Sequence, residues 1–361
     1  MPQAQILCHL VAAGNMVAVR MGEIGMTKGK VLVSGASGYI AGFAIKQLLA
    51  EGWQVRGTLR SMARADAVRD ALGAPGLELV AADLMADAGW AEAAAGADYM
   101  LHIASPIPLR EPKNPDDLIR PARDGALRAL RAARDAGVKR VVMTSSVAAI
   151  CYGADRSSRS FTEADWSDPA HPESYAYIQS KTIAERAARA FIAAEGNGLE
   201  FCTVNPSAVI GPVLGGDFSP SLEVVKKLMG GELPGLPRLG FALVDARDIA
   251  DLHIRAMTAP GMNGERFIGA GDFLWMKDIA EILKFRLGAQ ARKVPTRMLP
   301  DFLLKAASLF DPTVRMVVPE LGRERRCDSA HARATLGWET RPASESIVDC
   351  AQSLLAAGLV K

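Results

Sequence analysis

Residues 31–42 read Val-Leu-Val-Ser-Gly-Ala-Ser-Gly-Tyr-Ile-Ala-Gly, a short apolar run followed at once by a glycine-rich turn. Apolar residues then recur at helical spacing from Ile40 until Gly52 ends the predicted helix. In a strand, turn and helix of this kind, Gly35 permits the tight turn and Gly38 lets the backbone approach a pyrophosphate. The alternative is a plain turn, but the order of elements favours a dinucleotide site. The residues predicted to hold the cofactor here are Gly35, Ser37, Gly38, Tyr39 and Ile40.

Strand and helix patterns continue to alternate as far as residue 206. Strands are predicted at 54–59, 77–81, 98–104, 140–145 and 200–205, and helices at 63–72, within 115–136 and through Lys181. Alternation in units of roughly 25–35 residues favours a parallel sheet with helices on both faces. The strands lack a regular polar and apolar alternation, which is typical of strands covered on both sides. The predicted fold class is therefore α/β, a Rossmann doubly wound parallel sheet with a smaller C-terminal substrate lobe.

The pattern also suggests where the domains lie. Residues 1–27 are interpreted as an N-terminal extension, disordered or produced by an upstream mis-start, because Met26 precedes the first strand closely. Residues 28–206 are predicted to form the NADP-binding Rossmann domain. Glycine and proline pairs interrupt the regularity beyond 206, and helical segments resume near 274–287. Residues 207–361 are therefore predicted to form mainly a substrate-binding lobe, with part of it returning to the Rossmann sheet.

Composition excludes several classes of protein. The 361 residues carry a net charge of +2, and no long basic block is present, so neither nucleic acid nor a membrane surface is an expected partner. No uninterrupted apolar stretch reaches about 18 residues, the length of a spanning helix. The five cysteines form no Cys-x-x-Cys pair and the five histidines show no ligand spacing, so neither a disulfide framework nor a metal site is predicted. This usage favours a reduced, cytoplasmic protein.

The end of the second predicted strand indicates which nicotinamide cofactor is bound. An NAD site usually has a carboxylate there for the ribose 2′-hydroxyl, whereas residues 55–61 read Val-Arg-Gly-Thr-Leu-Arg-Ser. The guanidinium groups of Arg60 and Arg64 suit a 2′-phosphate instead, so NADP(H) is the predicted cofactor; the alternative for Arg60 is an ordinary solvated charge. Asp83, with Leu84 beside it, is predicted to meet the adenine amino group or to cap the following turn.

Tyr177 and Lys181 are the predicted catalytic pair. Their spacing of four residues in a helical segment puts both on one face. A phenol has a pKa of about 10, and a nearby ammonium favours the phenolate, which suits acid–base chemistry. The third member should be a hydroxyl that ends the fifth strand, where Thr144, Ser145 and Ser146 follow one another. Ser146 is preferred for orienting a substrate carbonyl, with Ser145 as the alternative.

These residues resemble a known family when taken together. The matching segments are 31–40, His102-Ile-Ala-Ser-Pro106, Pro121-Ala122, Val142-Met-Thr-Ser-Ser146, Asp165-Trp-Ser167, Tyr177-Ile-Gln-Ser-Lys181, Ala184-Glu185, Val204-Asn-Pro206, Ile210-Gly-Pro212 and 244–253. The chain resembles the dihydroflavonol 4-reductase/cinnamoyl-CoA reductase branch of the extended short-chain dehydrogenases/reductases, including its microbial aldehyde and ketone reductases. The resemblance runs from about residue 28 nearly to the C-terminus.

The resemblance implies hydride transfer between NADPH and the carbonyl carbon of a small molecule, and the reverse reaction from an alcohol. Tyr177 would donate the proton, Lys181 would lower its pKa and bind the ribose, and Ser146 would orient the carbonyl oxygen. The resemblance also implies that Ala104 and Ser105 flank the cofactor, that Pro206 and Val209 line the nicotinamide, and that Ser221 reaches a cofactor phosphate. A monomer or a homodimer is expected.

Two positions depart from the family pattern. Cys151 stands where the plant dihydroflavonol reductases carry an Asn that contacts flavonoid hydroxyls, which argues against a flavonoid substrate. Ala41 replaces the third glycine of the phosphate turn, as in the microbial carbonyl reductases.

The segments expected to flank the pocket, or to be plain surface loops, are 106–112, 151–160 and 213–218. Core positions are expected for Met143, Trp275 and Leu303.

Other functions share this fold. A nucleotide-sugar epimerase or dehydratase uses the same Tyr and Lys but holds NAD, and Arg60 argues against it. A 3β-hydroxysteroid-type dehydrogenase is a further alternative, separated by its preference for NAD. A protein that senses NADP(H) without turnover is disfavoured because such proteins often lose the Tyr or the Lys, and this chain keeps both.

Overall fold

Ten strands form two sheets in a computed structural model of the chain, which describes residues 28–107, 111–153, 159–215 and 220–360. The strands are β1 (Lys30–Val33), β2 (Gln54–Leu59), β3 (Glu78–Ala81), β4 (Tyr99–His102), β5 (Arg140–Thr144), β6 (Glu200–Pro206), β7 (Ala208–Ile210), β8 (Gly240–Asp245), β9 (Arg266–Gly269) and β10 (Phe273–Trp275). Seven of them form a parallel sheet in the order β3-β2-β1-β4-β5-β6-β9. The strand order reverses between β1 and β4, which opens a crevice at their carboxyl ends.

Helices cover both faces of this sheet. They are α1 (Tyr39–Ala50), α2 (Ala65–Leu72), α3 (Trp90–Ala94), α4 (Asp116–Asp135), α5 (Ala176–Glu195), α6 (Pro220–Gly230), α7 (Ala246–Thr258), α8 (Met276–Leu287), α9 (Asp301–Ala307), α10 (Pro312–Val317), α11 (Ala330–Leu336) and α12 (Ala343–Ala356). Short 3-10 turns occupy Met62–Arg64, Val147–Ala149, Gly288–Ala291 and Val318–Glu320. The helices α1 and α7 pack together on one face, and α4 packs on α5 on the other.

The first strand explains why the predicted strands read as continuous apolar runs. Successive side chains of a strand point to opposite faces, so Val31 and Val33 enter the core under α1 and α7. Leu32 points the other way and joins the core under α3, α4 and α5. All three side chains are fully buried. The predicted Rossmann fold, with helices on both faces of a parallel sheet, is confirmed.

A smaller sheet stands beside the main one. Its order is β10-β8-β7, with β8 antiparallel to β10 and parallel to β7. The chain then returns to the main sheet through β9, which pairs with β6. The helix expected near 274–287 is α8, which begins at Met276, directly after residues 273–275 pair with β8.

The C-terminal helices are anchored by buried polar contacts. Trp338 is fully buried, and its indole Nε1 donates to the carbonyl oxygen of Asp248 at 2.8 Å. Arg341 forms an ion pair with the carboxylate of Asp248 at 2.7 Å. These contacts attach the segment before α12 to the start of α7.

Two features of the described residues bear on membranes and on metal ions. Within these ranges, no helix is both long enough and apolar enough to cross a bilayer. The same ranges hold no group of three or more His, Cys, Asp and Glu side chains that would suit a metal ion. The predicted N-terminal extension, residues 1–27, lies outside the described residues.

Candidate active site

A cavity of about 1040 Å³ opens at the carboxyl ends of β1, β2, β4, β5 and β6. This is the edge at which open α/β sheets bind their ligands. Every residue predicted from the sequence to bind the cofactor or to act in catalysis lines it: Gly35, Ser37, Gly38, Tyr39, Ile40, Arg60, Arg64, Asp83, Leu84, Ala104, Ser105, Ser146, Tyr177, Lys181, Pro206, Val209 and Ser221. The structure thus brings the predicted residues together, while their roles stay predictions.

The glycine turn after β1 has the shape that an anion needs. Gly35 has a φ of +72°, in the left-handed region, and a Cβ there would lie 3.0 Å from Cβ of Ala104. Gly38 precedes α1 in an extended conformation and has no side chain that could cap the helix. The first backbone amides of α1 therefore have no side-chain partner at the end of the helix that lines the cavity. The backbone amide of Gly35 donates to Oγ1 of Thr58 at 3.0 Å, which ties the turn to β2.

The far end of the cavity carries the charged residues of the predicted adenosine site. Arg60 and Arg64 are exposed at its rim, just after β2. Asp83 uses one carboxylate oxygen to accept the backbone amide of Met85 at 2.9 Å, as expected of a turn cap. Leu84 lies beside it and is half-buried. Between residues 58 and 64 no carboxylate is present to take a ribose hydroxyl.

The predicted catalytic side chains meet where α5 begins. Tyr177 and Ser146 share a side-chain hydrogen bond, which lowers the pKa of the phenol, whereas burial raises it more strongly. The Nζ atom of Lys181 lies 5.8 Å from the centre of the Tyr177 ring. Burial lowers the pKa of Lys181 to about 8, and the nearby charge of Glu185 acts in the opposite direction. The sequence-based expectation that Lys181 lowers the pKa of Tyr177 stays a prediction.

The three hydroxyl groups at the end of β5 have different partners. Thr144 Oγ1 lies 2.7 Å from Nε2 of His253, whose Nδ1 faces the carbonyl oxygen of Ile249 at 2.7 Å. Because that carbonyl accepts the imidazole proton, Thr144 donates to the neutral ring. Ser145 also lines the cavity, and its hydroxyl donates to the buried Glu185 at 2.6 Å. Of the three, Ser146 is the one bonded to Tyr177, which favours the assignment made from the sequence.

A buried carboxylate that was not among the predicted site residues, Glu185, lies one turn beyond Lys181. Glu185 is fully buried and accepts hydrogen bonds from β6, from β9, from the residue that follows β5 and from its own helix α5. The donor atoms are Nε of Arg266 (2.7 Å), Oγ of Ser145 (2.6 Å), Nδ2 of Asn205 (2.9 Å), Nε of Arg189 (3.2 Å) and Oγ1 of Thr203 (3.3 Å). The guanidinium of Arg266 lowers the pKa of Glu185 against the effect of burial, so the carboxylate is charged. The only signal in the sequence was the spacing Tyr177, Lys181, Glu185.

His102 adds a neutral group behind Lys181. Its Nδ1 lies 3.0 Å from Oγ of Ser34, which in turn accepts the backbone amide of Ala104 at 3.0 Å. Burial, together with the nearby charge of Lys181, lowers the pKa of His102 to about 4. The imidazole is therefore neutral at physiological pH.

The substrate end of the cavity is apolar and aromatic. Tyr152 and Tyr175 line it with their ring centroids 6.4 Å apart in an edge-to-face arrangement, and burial raises the pKa of both phenols. The guanidinium of Arg325 lies 4.3 Å from the centre of the Tyr152 ring. Neither tyrosine was singled out from the sequence, because their meeting depends on a contact between two loops.

The predicted flanking segments are only partly described. Pro106, Ile107 and Tyr152 line the cavity, while residues 108–110, 154–158 and 216–218 lie outside the described residues. Met143 is 4% exposed, as expected of a core residue. Trp275 is half-buried, so the expectation of a core position is met only in part. The same expectation for Leu303 is wrong, because its side chain is 46% exposed on the short helix α9.

Comparison with known proteins identifies the family. A family model described as the NAD dependent epimerase/dehydratase family matches residues 31–268. The chain belongs to this family. The match spans the main sheet from β1 to β9 and includes the glycine turn, Ser146, Tyr177 and Lys181. The predicted membership of the extended short-chain dehydrogenases/reductases is thereby confirmed.

The curated relatives are named as reductases. The chain is 32% identical to dihydroflavonol 4-reductase of Hordeum vulgare over 270 residues, which cover 72% of this chain and 75% of that enzyme. It is 29% identical to cinnamoyl-CoA reductase 2 of Arabidopsis thaliana over 334 residues, which cover 91% and 93% of the two chains. The predicted resemblance to this branch is confirmed, and the chain is an oxidoreductase, as expected from the sequence.

Solved structures agree with the fold. The yeast methylglyoxal/isovaleraldehyde reductase Gre2, complexed with NADPH, superposes with a TM-score of 0.76 at 27% identity, covering 92% of this chain and all of that one. The predicted cofactor, NADP(H), is thus the one in the Gre2 complex. MoeE5, in complex with UDP-glucuronic acid and NAD, superposes with a TM-score of 0.70 at 20% identity. At this identity the similarity shows only a shared fold.

Proposed function

We propose that this protein uses NADPH to reduce an aldehyde or ketone to an alcohol, and catalyses the reverse reaction. One observation carries the proposal: Ser146 and Tyr177 share a hydrogen bond beside Lys181, inside the cavity that the glycine turn also lines. A proton donor, a second hydroxyl and an ammonium in one cavity suit the conversion of a carbonyl oxygen into an alcohol.

The residues at the turn fit a nicotinamide dinucleotide. A side chain at Gly35 would meet Ala104, and one at Gly38 would lie 3.1 Å from the carbonyl oxygen of Gly35, so both positions need the bare backbone. The amides at the start of α1 would bind the pyrophosphate, and Arg60 and Arg64 would bind a 2′-phosphate. When bound, NADPH supplies a hydride to the carbonyl carbon.

The proton would come from Tyr177. Burial keeps the phenol protonated before reaction, and Ser146 holds it in place. A carbonyl oxygen placed between the two hydroxyls would accept a hydrogen bond from each and then take the phenolic proton. The positive charge of Lys181, near the ring, favours the phenolate that remains. Tyr177 would therefore donate the proton, and Lys181 would stabilise the negative charge that remains on the phenolate.

The lining of the cavity favours an uncharged substrate. Among the described residues that line it, the cationic side chains are Arg60, Arg64 and Lys181, and the first two lie at the adenosine end. The phosphates of a coenzyme A thioester usually need basic partners, and no described residue that lines the cavity around Tyr152 and Tyr175 is basic. Arg325, which packs on Tyr152, does not line the cavity and is paired with Glu320. A small aromatic or aliphatic carbonyl compound is therefore the substrate class that we propose.

Turnover with a panel of uncharged aldehydes and ketones tests the proposal. Purified protein should consume NADPH only when a carbonyl compound is added. Tyr177→Phe should lower kcat by about 10²–10⁴-fold, the usual contribution of a general acid. Tyr175→Phe is the matched control, because Tyr175 lines the same cavity two residues earlier, and its kcat should stay within a few-fold of wild type. Full activity of Tyr177→Phe would refute the proposal, as would NAD that stays bound through turnover.

Cofactor choice is tested separately at Arg60. Arg60→Gln removes the guanidinium but keeps a polar side chain at an exposed position. A charge-assisted hydrogen bond contributes about 1.5–3 kcal/mol, so the Kd for NADPH should rise by about 10–100-fold while the Kd for NADH hardly changes. Fluorescence titration with both cofactors measures this. An equal change in the two Kd values would contradict the role of Arg60 in binding a 2′-phosphate.

A further inference from the structure

Two cysteines from distant parts of the chain meet beside the candidate active site. Cys151 lies five residues after Ser146 and is 2% exposed. Cys327 belongs to the C-terminal part of the chain and is partly exposed. Both thiols are free in the structure, and the pKa of Cys151 is raised by the thiol of Cys327 beside it. The two side chains pack in the same small apolar cluster, whose members include Ile150 and Phe161.

Backbone contacts hold the two segments in register. The amide of Phe161 donates to the carbonyl oxygen of Arg326 at 2.8 Å, and the amide of Asp328 donates to the carbonyl oxygen of Phe161 at 2.8 Å. These two bonds flank Cys327 on both sides. On the other segment, the guanidinium of Arg325 donates to the carbonyl oxygen of Cys151 at 2.7 Å. These contacts hold Cys327 against Phe161 and its neighbour Arg325 against Cys151, so both cysteines sit in one fixed cluster.

The other described cysteines lack this arrangement. Cys202 lies in β6 and Cys350 in α12, and both are fully buried in the main core. Neither packs in the cluster that holds Cys151 and Cys327. These two residues therefore serve as internal controls for a reaction that needs two adjacent thiols.

We propose that Cys151 and Cys327 form a reversible disulfide bond when the protein meets a hydroperoxide. The more exposed thiolate of Cys327 attacks the peroxide oxygen, which gives a sulfenic acid and an alcohol. The thiol of Cys151 then attacks the Cys327 sulfur, the S–S bond forms, and water leaves. Two thiols are oxidised and one hydroperoxide is reduced. A dithiol reductant reverses the reaction by exchange.

The second step can begin only after the first, and Cys327 also influences the acidity of the Cys151 thiol. The hydrogen bond with Cys327 raises the pKa of Cys151 most, burial raises it further, and the charge of Arg325 lowers it. Oxidation of Cys327 to a sulfenic acid removes the thiol that raises the pKa of Cys151 most. Attack by Cys151 on the oxidised Cys327 needs no large rearrangement, because the two side chains already pack in one cluster.

The bond would fix one wall of the cavity. Tyr152, the next residue, lines the substrate end and packs under the guanidinium of Arg325. A disulfide at position 151 would tie this wall covalently to the segment around 325–327. Oxidation should therefore change the KM for the carbonyl compound more than the Kd for NADPH. This consequence for activity rests on the proposed function, whereas formation of the bond does not.

Mass spectrometry of the full chain tests the bond itself. Cys8→Ser removes the cysteine outside the described residues and serves as the background. After treatment with hydrogen peroxide, the intact protein should be lighter by the mass of two hydrogen atoms. After alkylation of the remaining thiols, a digest should contain one peptide pair that joins Cys151 to Cys327. Dithiothreitol should restore both thiols. Cys327→Ser should abolish the loss, whereas Cys202→Ser and Cys350→Ser should retain it.

Other products would overturn the proposal. These are linkage to Cys202 or Cys350, sulfinic acid at Cys327 without a bond, or no change of mass under conditions that oxidise a free thiol. Two further readouts use the same samples. Oxidation should raise Tm, because a disulfide that closes a long loop restricts the unfolded chain, and Cys327→Ser should remove this rise. A KM that oxidation leaves unchanged would contradict the effect on the cavity wall, and a lack of any turnover would count against the proposed function alone.

Discussion

Replacing Glu185 by Gln perturbs two properties of this protein at once, its stability and the charge of Lys181. The carboxylate is fully buried, and its closest cationic partner, Arg266, is 7% exposed and lies 2.7 Å away. Loss of one partner of a buried ion pair leaves the other charge without compensation and costs about 3–5 kcal/mol. With an unfolding entropy of about 2.1 cal/mol/K per residue, Tm of a chain of this size falls by about 1.3 °C for each kcal/mol, so the variant should lose about 4–7 °C.

The second effect concerns pH. Burial lowers the pKa of Lys181 to about 8, and the charge of Glu185 opposes this shift. The other groups around the ammonium are Tyr177, from the same helix, and His102, which is neutral. Removing the carboxylate charge should therefore lower the pKa of Lys181 further. Because the proposed mechanism uses the charged ammonium, kcat of the variant should decline at a lower pH than kcat of wild type.

Thermal unfolding and a profile of kcat against pH, from neutral to alkaline, measure the two effects. Glu195→Gln is the matched control, because Glu195 ends the same helix with 58% of its side chain exposed. The control should leave both Tm and the pH profile unchanged. A Tm of Glu185→Gln equal to that of wild type would refute the stability argument. An unshifted alkaline limb in the folded variant would refute the electrostatic one.

Two further predictions test the fold, each with a control substitution. Gly89→Ala should lower the free energy of unfolding by at least about 3 kcal/mol, because φ is +85° and the new Cβ would lie 2.0 Å from the carbonyl oxygen of Ala81. Gly73→Ala, with φ +62° and nothing within 4 Å, should cost only about 1–2 kcal/mol in the same urea titration. His253 has a pKa of about 4 in the folded protein, against about 6.5 in the unfolded chain, so stability present above pH 6.5 is lost as pH falls toward 4, by about 3 kcal/mol. His253→Gln should flatten this dependence, His171→Gln should not, and equal slopes in all three proteins would contradict the assignment.

Local patterns in the sequence were sufficient for the fold class and for much of the site. The glycine turn, the helix that follows it and the arginine at the end of β2 all lie within about thirty residues of one another. Tyr177 and Lys181 lie on one helical face because of their spacing. Each of these features depends on backbone geometry over a few residues. The types of residue and their periodicity indicate that geometry directly.

The contacts that complete the site join residues far apart in the chain. The pairs Glu185 with Arg266, Tyr152 with Tyr175 and Cys151 with Cys327 each combine separate elements. Their meeting depends on the order of the strands and on the place of β9 next to β6. No short-range periodicity encodes that order, because a four-residue apolar strand pairs equally well with several neighbours.

The sequence by itself therefore determined the Rossmann sheet, the phosphate turn and the identity of the predicted catalytic side chains. The tertiary structure alone decided which of the hydroxyls at 144, 145 and 146 bonds to Tyr177, and which groups surround Lys181. The physical reason is the difference in range. Turn and helix geometry is set by neighbouring residues, whereas desolvation and ion pairing depend on everything that packs around a side chain.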